Sequence, residues 1–477
     1  MVTTRTAQQF VNGELETSAR TSTSIGPADG TVLGHYADAD TAQGARAVAA
    51  ARKAFEESDW SRDRRLRHRV LNALADGIDR RTEELITMLA RENGKVLGEA
   101  RFELSLTAPK LRYYAALALS EGGRAAEVSP GTVVSSVPEP TGVAGVIVPW
   151  NAPVVLSVRS FAPALAAGCT AVVKMPGQTG LVNGILHEVL ADTPELPAGV
   201  LNSLSESGNE VAPLLVASPD VDVLSYTGST RVGRMIMSEA ATTLKRLSLE
   251  LGGKNPMIVF DDADLDAVVP VLARAVTTFA GQFCMAGSRV LAQRGIAGEL
   301  RERLAKALTD VRLGPGDDPA SEVGPMIDAA NAERVDRIVA AAERYAEIIV
   351  RGGLSEGGSA FYSPSLVEVD DPMTPIVQEE VFGPVATFEV FDTEADAVRL
   401  ANITSYGLAA SVWSRDVDRP RRVGRRLKAG TVWTNTWALV VDQFEEGGFK
   451  QSGVGRLNGL RGLEEFQEYK TYAHVAG

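Results

Sequence analysis

The sequence predicts an α/β protein made of two interlocked parallel-sheet domains with a small β element attached. Three observations carry that expectation. From about Ala126 onward, short β-rich runs alternate with helical stretches at the interval of βαβ units, in two successive series. A chain of 477 residues is too long for one hydrophobic core. No fixed-period repeat and no long Pro, Gly and Ser linker separates the two series, so they are expected to interlock.

The elements follow in order. Between Ala37 and about Leu119, apolar residues at three- and four-residue spacing predict three amphipathic helices, in ADADTAQGARAVAAARKAFEESDW, RRLRHRVLNALADGIDRRTEELITMLARENG and LGEARFELSLTAPKLRYYAALALS. Asp, Asn and Gly stand at their ends, as helix termini require. The first strand series is VSSV, GVAGVIV, TAVVKM, VLNSLS, VDVLSY and NPMIVF; the second is SRVLAQ, EIIVRGG, TFEVFD, LAASVWS and GTVWTN. EVSPGTVVSSV and EFQEYKTYAHVAG alternate polar and apolar residues like exposed edge strands. Such edges are expected to pair with another subunit, or else with each other.

Composition excludes several functions. A net charge of −13 argues against nucleic-acid or anionic-membrane partners, which need a basic surface. Two cysteines cannot build a disulfide framework, and they predict a reducing, cytoplasmic setting. The opening segment lacks a charged region followed by an apolar one, so no secretory signal is expected, and no apolar run approaches the roughly 20 residues that cross a bilayer. The four histidines show no metal-ligand spacing, so neither a metal site nor a Ser-His-Asp triad is expected. Any catalytic base is then a carboxylate, and a cysteine is the candidate nucleophile.

Cys284 follows a Gly-Gln-Phe turn in TTFAGQFCMAGSR, where backbone N–H groups can stabilise a thiolate. A lone cysteine is more often a small buried hydrophobe, and Cys169 in APALAAGCTAVV reads that way. Glu250 ends the apolar run of LSLELGGKNP, where shielding from water should raise its pKa toward that of a general base. Asn151 closes GVIVPWN at a strand's carboxyl end, placed to donate to an oxyanion. In VLSYTGSTRVG, Gly228 and Ser229 lead from strand to helix, a phosphate cradle or an ordinary βα turn.

Together these segments resemble the aldehyde dehydrogenase superfamily from FVNGE to GGFKQSGVGR, with PWNAP, YTGST, LELGGKNP, GQFC, EEVFGPV and GTVWTN in family order. The resemblance implies two Rossmann-like domains and a small β oligomerisation element. Residues 1–122 and 141–252 would bind cofactor, 253–448 would form the catalytic domain, and 123–140 with 449–477 would bridge subunits of a homodimer or homotetramer. It implies oxidation of an aldehyde to an acid with NAD or NADP, with Cys284 as nucleophile, Glu250 as base and Asn151 at the oxyanion. Cofactor contacts would come from Val148, Pro149, Trp150, Lys174, Gly177, Gly208, Gly228, Ser229, Val232, Leu251, Gly252, Glu380 and Phe382. Substrate contacts would come from Arg159, Phe283, Met285, Trp437 and Glu446.

Departures from the family pattern sharpen the expectation. Gly177 stands where many members carry an acid against a 2′-phosphate, and Glu206 replaces a glycine beside the adenine. Arg159 and Ser160 occupy positions often held by a bulky residue and a lysine; Thr278 replaces the second arginine of succinate-semialdehyde enzymes. EEGG replaces a Pro-Phe-Gly-Gly run, so that Glu446 is expected either to face Arg159 or to lie in a solvated acidic loop, and Leu457 replaces a glutamate. An aromatic aldehyde is the favoured substrate and a semialdehyde the alternative. Glu250 argues against a CoA-acylating enzyme, and Cys284, Glu250 and Asn151 together argue against a silent structural protein.

Overall fold

A computed structural model describes residues 6–120, 122–355 and 360–475. The first helix, Thr41–Glu57, starts where the Asp40 carboxylate accepts the Gln43 N–H at 2.8 Å. The second predicted helix is three pieces: Arg64–Arg80, Thr82–Met88 and a π-helical turn at Leu89–Asn93. The third divides at Leu106 into Leu97–Ser105 and Thr107–Ser120. These breaks turn polar side chains inward. Glu92 accepts N–H bonds from Leu181 and Val182 at 2.8 Å each, and Asn93 donates to the Trp150 carbonyl at 2.7 Å. Glu103 accepts the Val154 N–H at 2.8 Å, fixing the start of the helix Pro153–Ala167.

The first strand series folds into an eight-stranded sheet whose five central strands are parallel, in the order Arg246–Glu250, Val223–Thr227, Val143–Ile147, Thr170–Pro176, Leu201–Glu206. This is a doubly wound order, and its switch point lies between Val143–Ile147 and Val223–Thr227. Asn151, Gly177, Gly208, Gly228 and Leu251 all follow carboxyl ends of these strands, where open α/β sheets bind ligands. At the sheet's edge Gly453–Val454 pairs antiparallel with Arg246–Glu250, setting Gly453 opposite Glu250.

NPMIVF belongs to the other sheet. Pro256–Val259 pairs with Arg289–Gln293 on one side and Ala409–Trp413 on the other, within seven strands of which only Glu347–Val350 runs antiparallel to its neighbour. The two alternating segments pair with each other: Gln467–Val475 lies antiparallel to Thr132–Pro140, with Arg124–Ser129 beyond, forming a separate three-stranded sheet. Its outer strands are almost wholly exposed. Among the described residues no helix is long and apolar enough to cross a membrane.

Candidate active site

Cys284 is reached through a strained turn. Phe279, Ala280 and Gly281 have φ of 55°, 51° and 70°, a left-handed run that costs about 1–3 kcal/mol at each non-glycine position. Surrounding groups hold it: Glu99 accepts the Phe279 N–H at 2.7 Å, the Lys95 ammonium lies 4.4 Å from the Phe279 ring centroid, and Gln282 reaches back to the Phe279 carbonyl at 3.0 Å. A side chain at Gly281 would collide with the backbone of Gly383. Beyond the turn, the Asn255 amide donates to the Cys284 carbonyl at 2.8 Å and to that of Ala286 at 2.9 Å. Cys284 itself is half-buried, and Cys169 is fully buried in the core.

Cys284, Asn151 and Glu250 line one cavity of about 250 Å³, with Trp150, Gly228, Ser229, Leu251, Glu380 and Phe382. Asn151 spends one amide hydrogen on the Gln282 carbonyl at 3.0 Å, which leaves the other for an oxyanion. Burial pushes the Glu250 carboxyl up to about 8, against the pull of Arg159. Burial also pushes the Cys284 thiol up to about 12, with Glu446 adding to the rise. The turn therefore does not by itself hold a thiolate, as its backbone donors suggested; the nucleophile rests as a thiol and needs a base.

Of the residues expected at a cofactor, Pro149, Trp150, Gly228, Ser229, Leu251, Gly252, Glu380 and Phe382 line this cavity and Val232 lines another, whereas Val148, Lys174, Gly177 and Gly208 line neither. Ser229 caps the helix Thr230–Ala240, and the helix and its neighbour Val211–Ala217 frame a cavity of about 550 Å³ lined by Ile147, Ala212, Pro213, Val216, Val232 and Ile236, a slot suited to an adenine. In the cavity with Cys284, Trp150 and Phe382 meet edge to face at 5.6 Å, and Glu380 accepts the Gly253 N–H at 3.0 Å. Lys174 Nζ lies 4.0 Å from Glu206 Oε2. Glu206 does not point to solvent: one carboxylate oxygen accepts the Val211 N–H at 2.9 Å, and the other, which faces Lys174, is buried without a hydrogen bond. Gly177 has no room for an acid, since a Cβ there would lie 2.6 Å from Ser207 Cα and 2.7 Å from the Tyr36 hydroxyl. A buried carboxylate oxygen without a donor, beside a lysine and a helix N-terminus, suits a ribose hydroxyl and a pyrophosphate.

These features already match one chemistry, and comparison decides it. Residues 15–472 match the aldehyde dehydrogenase family. This chain belongs to that family. It is 39% identical over 439 residues to the betaine aldehyde dehydrogenase of Bacillus subtilis (strain 168), covering 89% of this chain and 88% of the relative. It is 36% identical to the NADP/NAD-dependent aldehyde dehydrogenase PuuC of Escherichia coli (strain K12), covering 97% of this chain and 94% of that one. A crystal structure of Staphylococcus aureus betaine aldehyde dehydrogenase in complex with NAD+ superposes with a TM-score of 0.95 at 35% identity, covering 98% of this chain and 95% of that chain. This aldehyde dehydrogenase is an NAD(P)-dependent oxidoreductase.

A third cavity of this aldehyde dehydrogenase, of about 430 Å³, reaches Phe283, the residue before Cys284, and is lined by Val96, Glu99, Phe102, Arg274, Thr278, Phe283 and Trp437 among others. Phe283 meets Trp437 edge to face at 5.8 Å and Phe279 at 5.4 Å. Met285 lies beneath, 1% exposed, its carbonyl accepting the Trp437 indole N–H at 3.0 Å. Arg159 and Glu446 form a buried ion pair at 2.5 Å, and neither is among the residues lining this cavity or that of Cys284. Sequence reading passed over Glu99, Phe102, Thr227 and Asn255. Asn255 and Thr227 had a signal, in the GGKNP run after Glu250 and in YTGST; Glu99 and Phe102 had none.

Proposed function

We propose that this dehydrogenase acts on an aldehyde with a flat apolar or aromatic body. The observation that carries the reading is the tunnel wall: Phe283, Trp437 and Phe102 present aromatic surface, while Arg159 lines neither cavity and is consumed by Glu446, and the arginine that does line the tunnel, Arg274, is exposed to solvent. Glu99 lines the same tunnel, but both its oxygens accept backbone N–H groups, from Phe279 and Val96. A trimethylammonium aldehyde is the second reading, favoured by the likeness to betaine aldehyde dehydrogenases and by the same aromatic faces. A panel of benzaldehyde, vanillin, betaine aldehyde, succinate semialdehyde and a short aliphatic aldehyde tests it. The expected order of kcat/KM puts the aromatic pair first; a preference for succinate semialdehyde overturns the reading.

In this reading Cys284 Sγ adds to the carbonyl carbon, its proton passing through water to solvent, and the Asn151 amide with the Cys284 N–H holds the oxyanion. When bound, NAD(P)+ supplies the acceptor for the hydride that the adduct loses, which leaves a thioester on Cys284. Glu250 then takes a proton from water, whose oxygen attacks the thioester; the acid leaves, and Glu250 returns the proton to the Cys284 sulfur. Lys174 and Glu206 would hold the adenosine ribose, Ser229 the pyrophosphate, and Glu380 the nicotinamide ribose.

Glu206 favours NAD, because its carboxylate would repel a 2′-phosphate beside Lys174. Glu206→Gln keeps an oxygen for the Val211 N–H and removes the charge. It is expected to raise kcat/KM for NADP about tenfold and lower that for NAD. Equal cofactor ratios in variant and parent would sink this role. The eight-stranded sheet is the cofactor domain, the seven-stranded sheet the catalytic domain, and the exposed three-stranded sheet joins subunits of a homodimer or homotetramer in the cytoplasm.

A further inference from the structure

Two buried polar atoms near the catalytic carboxylate have no partner: the Arg159 Nε–H, a donor, and Glu250 Oε1, an acceptor. The rest of Arg159 is tied down. One terminal nitrogen donates to Glu446 at 2.5 Å, and the other donates to Thr227 Oγ1 at 2.8 Å. Thr227 is the residue opposite Glu250 in the parallel ladder and lines the cavity with it. Arg159 is thus a fully buried cation held one strand away from a buried carboxylate, and a direct bond between them would fix Glu250 as an anion unable to exchange protons.

Glu446 is itself fixed from behind. Its second oxygen accepts from Asn458 at 3.0 Å; the Asn458 amide oxygen accepts from Lys110 at 2.7 Å, and Lys110 pairs with Asp442 at 2.5 Å. Its backbone N–H and carbonyl both bond to Leu457, at 2.7 and 2.9 Å. Gly447, the next residue, packs so closely that a Cβ there would lie 3.0 Å from Glu250 Oε1. The other charges around the base are Arg456 and Glu465. The Arg456 guanidinium donates to the Gly448 and Gly455 carbonyls, and its backbone N–H donates to Glu465.

We propose that Glu446 is a positioning residue for the general base: by holding Arg159 in an ion pair, it keeps Glu250 unpaired and able to take up and release a proton. The inference rests on Glu250 being the base. Glu446 touches no reacting atom; it acts through Arg159. Removing the anion frees the guanidinium to seize Glu250, whereas removing the cation leaves two carboxylates facing each other without a counter-ion. The two changes therefore push the base in opposite directions.

The test records kcat against pH, with the NADH burst, for Glu446→Gln, Arg159→Met and the double variant on the preferred aldehyde of the panel. Glu446→Gln is expected to move the acidic limb down by about one pH unit or more and to lower the plateau about tenfold. Arg159→Met should move the limb up, and the double variant should return it close to the parent. A full burst shows that the site is folded and acylates. An unmoved limb in Glu446→Gln, or limbs that move in the same direction in both single variants, overturns the proposal. Glu250→Gln, run alongside, separates the two claims: parental turnover in that variant overturns the base assignment itself.

Discussion

Cys284→Ala is expected to abolish aldehyde oxidation, a loss of about 10⁴-fold or more in kcat, while cofactor affinity stays within a few-fold of the parent. Among the described residues Cys284 carries the only thiol lining the cavity with Asn151 and Glu250, since Cys169 is sealed in the core. Alanine removes one sulfur from a half-buried position and leaves the features that hold the turn in place, among them the Glu99 bond to Phe279 and the Asn255 bond to the Cys284 carbonyl. The variant should therefore fold and bind NAD+ as the parent does. Titration of NAD+ by tryptophan fluorescence, with turnover measured on the same preparation, checks both halves. Appreciable oxidation by this variant would contradict a covalent route.

Glu250→Gln separates acylation from hydrolysis. Steady-state kcat should fall by about 10²- to 10⁴-fold, because the other carboxylate lining the chamber, Glu380, is held on the Gly253 N–H. The parent's pH dependence follows from the raised carboxyl. With a pKa pushed up to about 8, Glu250 is protonated and inactive as a base below that pH and ionised above it. Turnover limited by thioester hydrolysis should therefore rise as pH passes upward through about 8, and this limb should vanish in the variant. Stopped-flow absorbance of NADH across a pH series measures it.

The fold was legible because its signals are local. Each parallel strand is a short apolar run bounded by turn residues, and the functional glycines and polar residues stand at strand ends, where topology gathers them. The Arg159 and Glu446 pairing was only half legible: the two departures from one pattern made it one of two alternatives, and the burial that decides it comes from the assembled fold. Other features depend on contacts distant in the chain. The left-handed turn at Phe279 and Ala280 carries no composition signal and is held by Glu99, 180 positions away. The helix breaks at Arg81 and Leu106 occur where Glu92, Asn93 and Glu103 find their partners in other elements. The resting thiol was missed for the same reason: desolvation by the assembled chamber outweighs the turn's own dipoles.

The thioester on Cys284 is the point on which the whole account turns, and it can be caught directly. Glu250→Gln is mixed with NAD+ and the preferred aromatic aldehyde, quenched in acid after one burst, digested and weighed by mass spectrometry. The account predicts that the peptide holding Cys284 gains the mass of one acyl group, in step with the NADH released. A burst of NADH with the Cys284 peptide unmodified and the free acid already formed would contradict it.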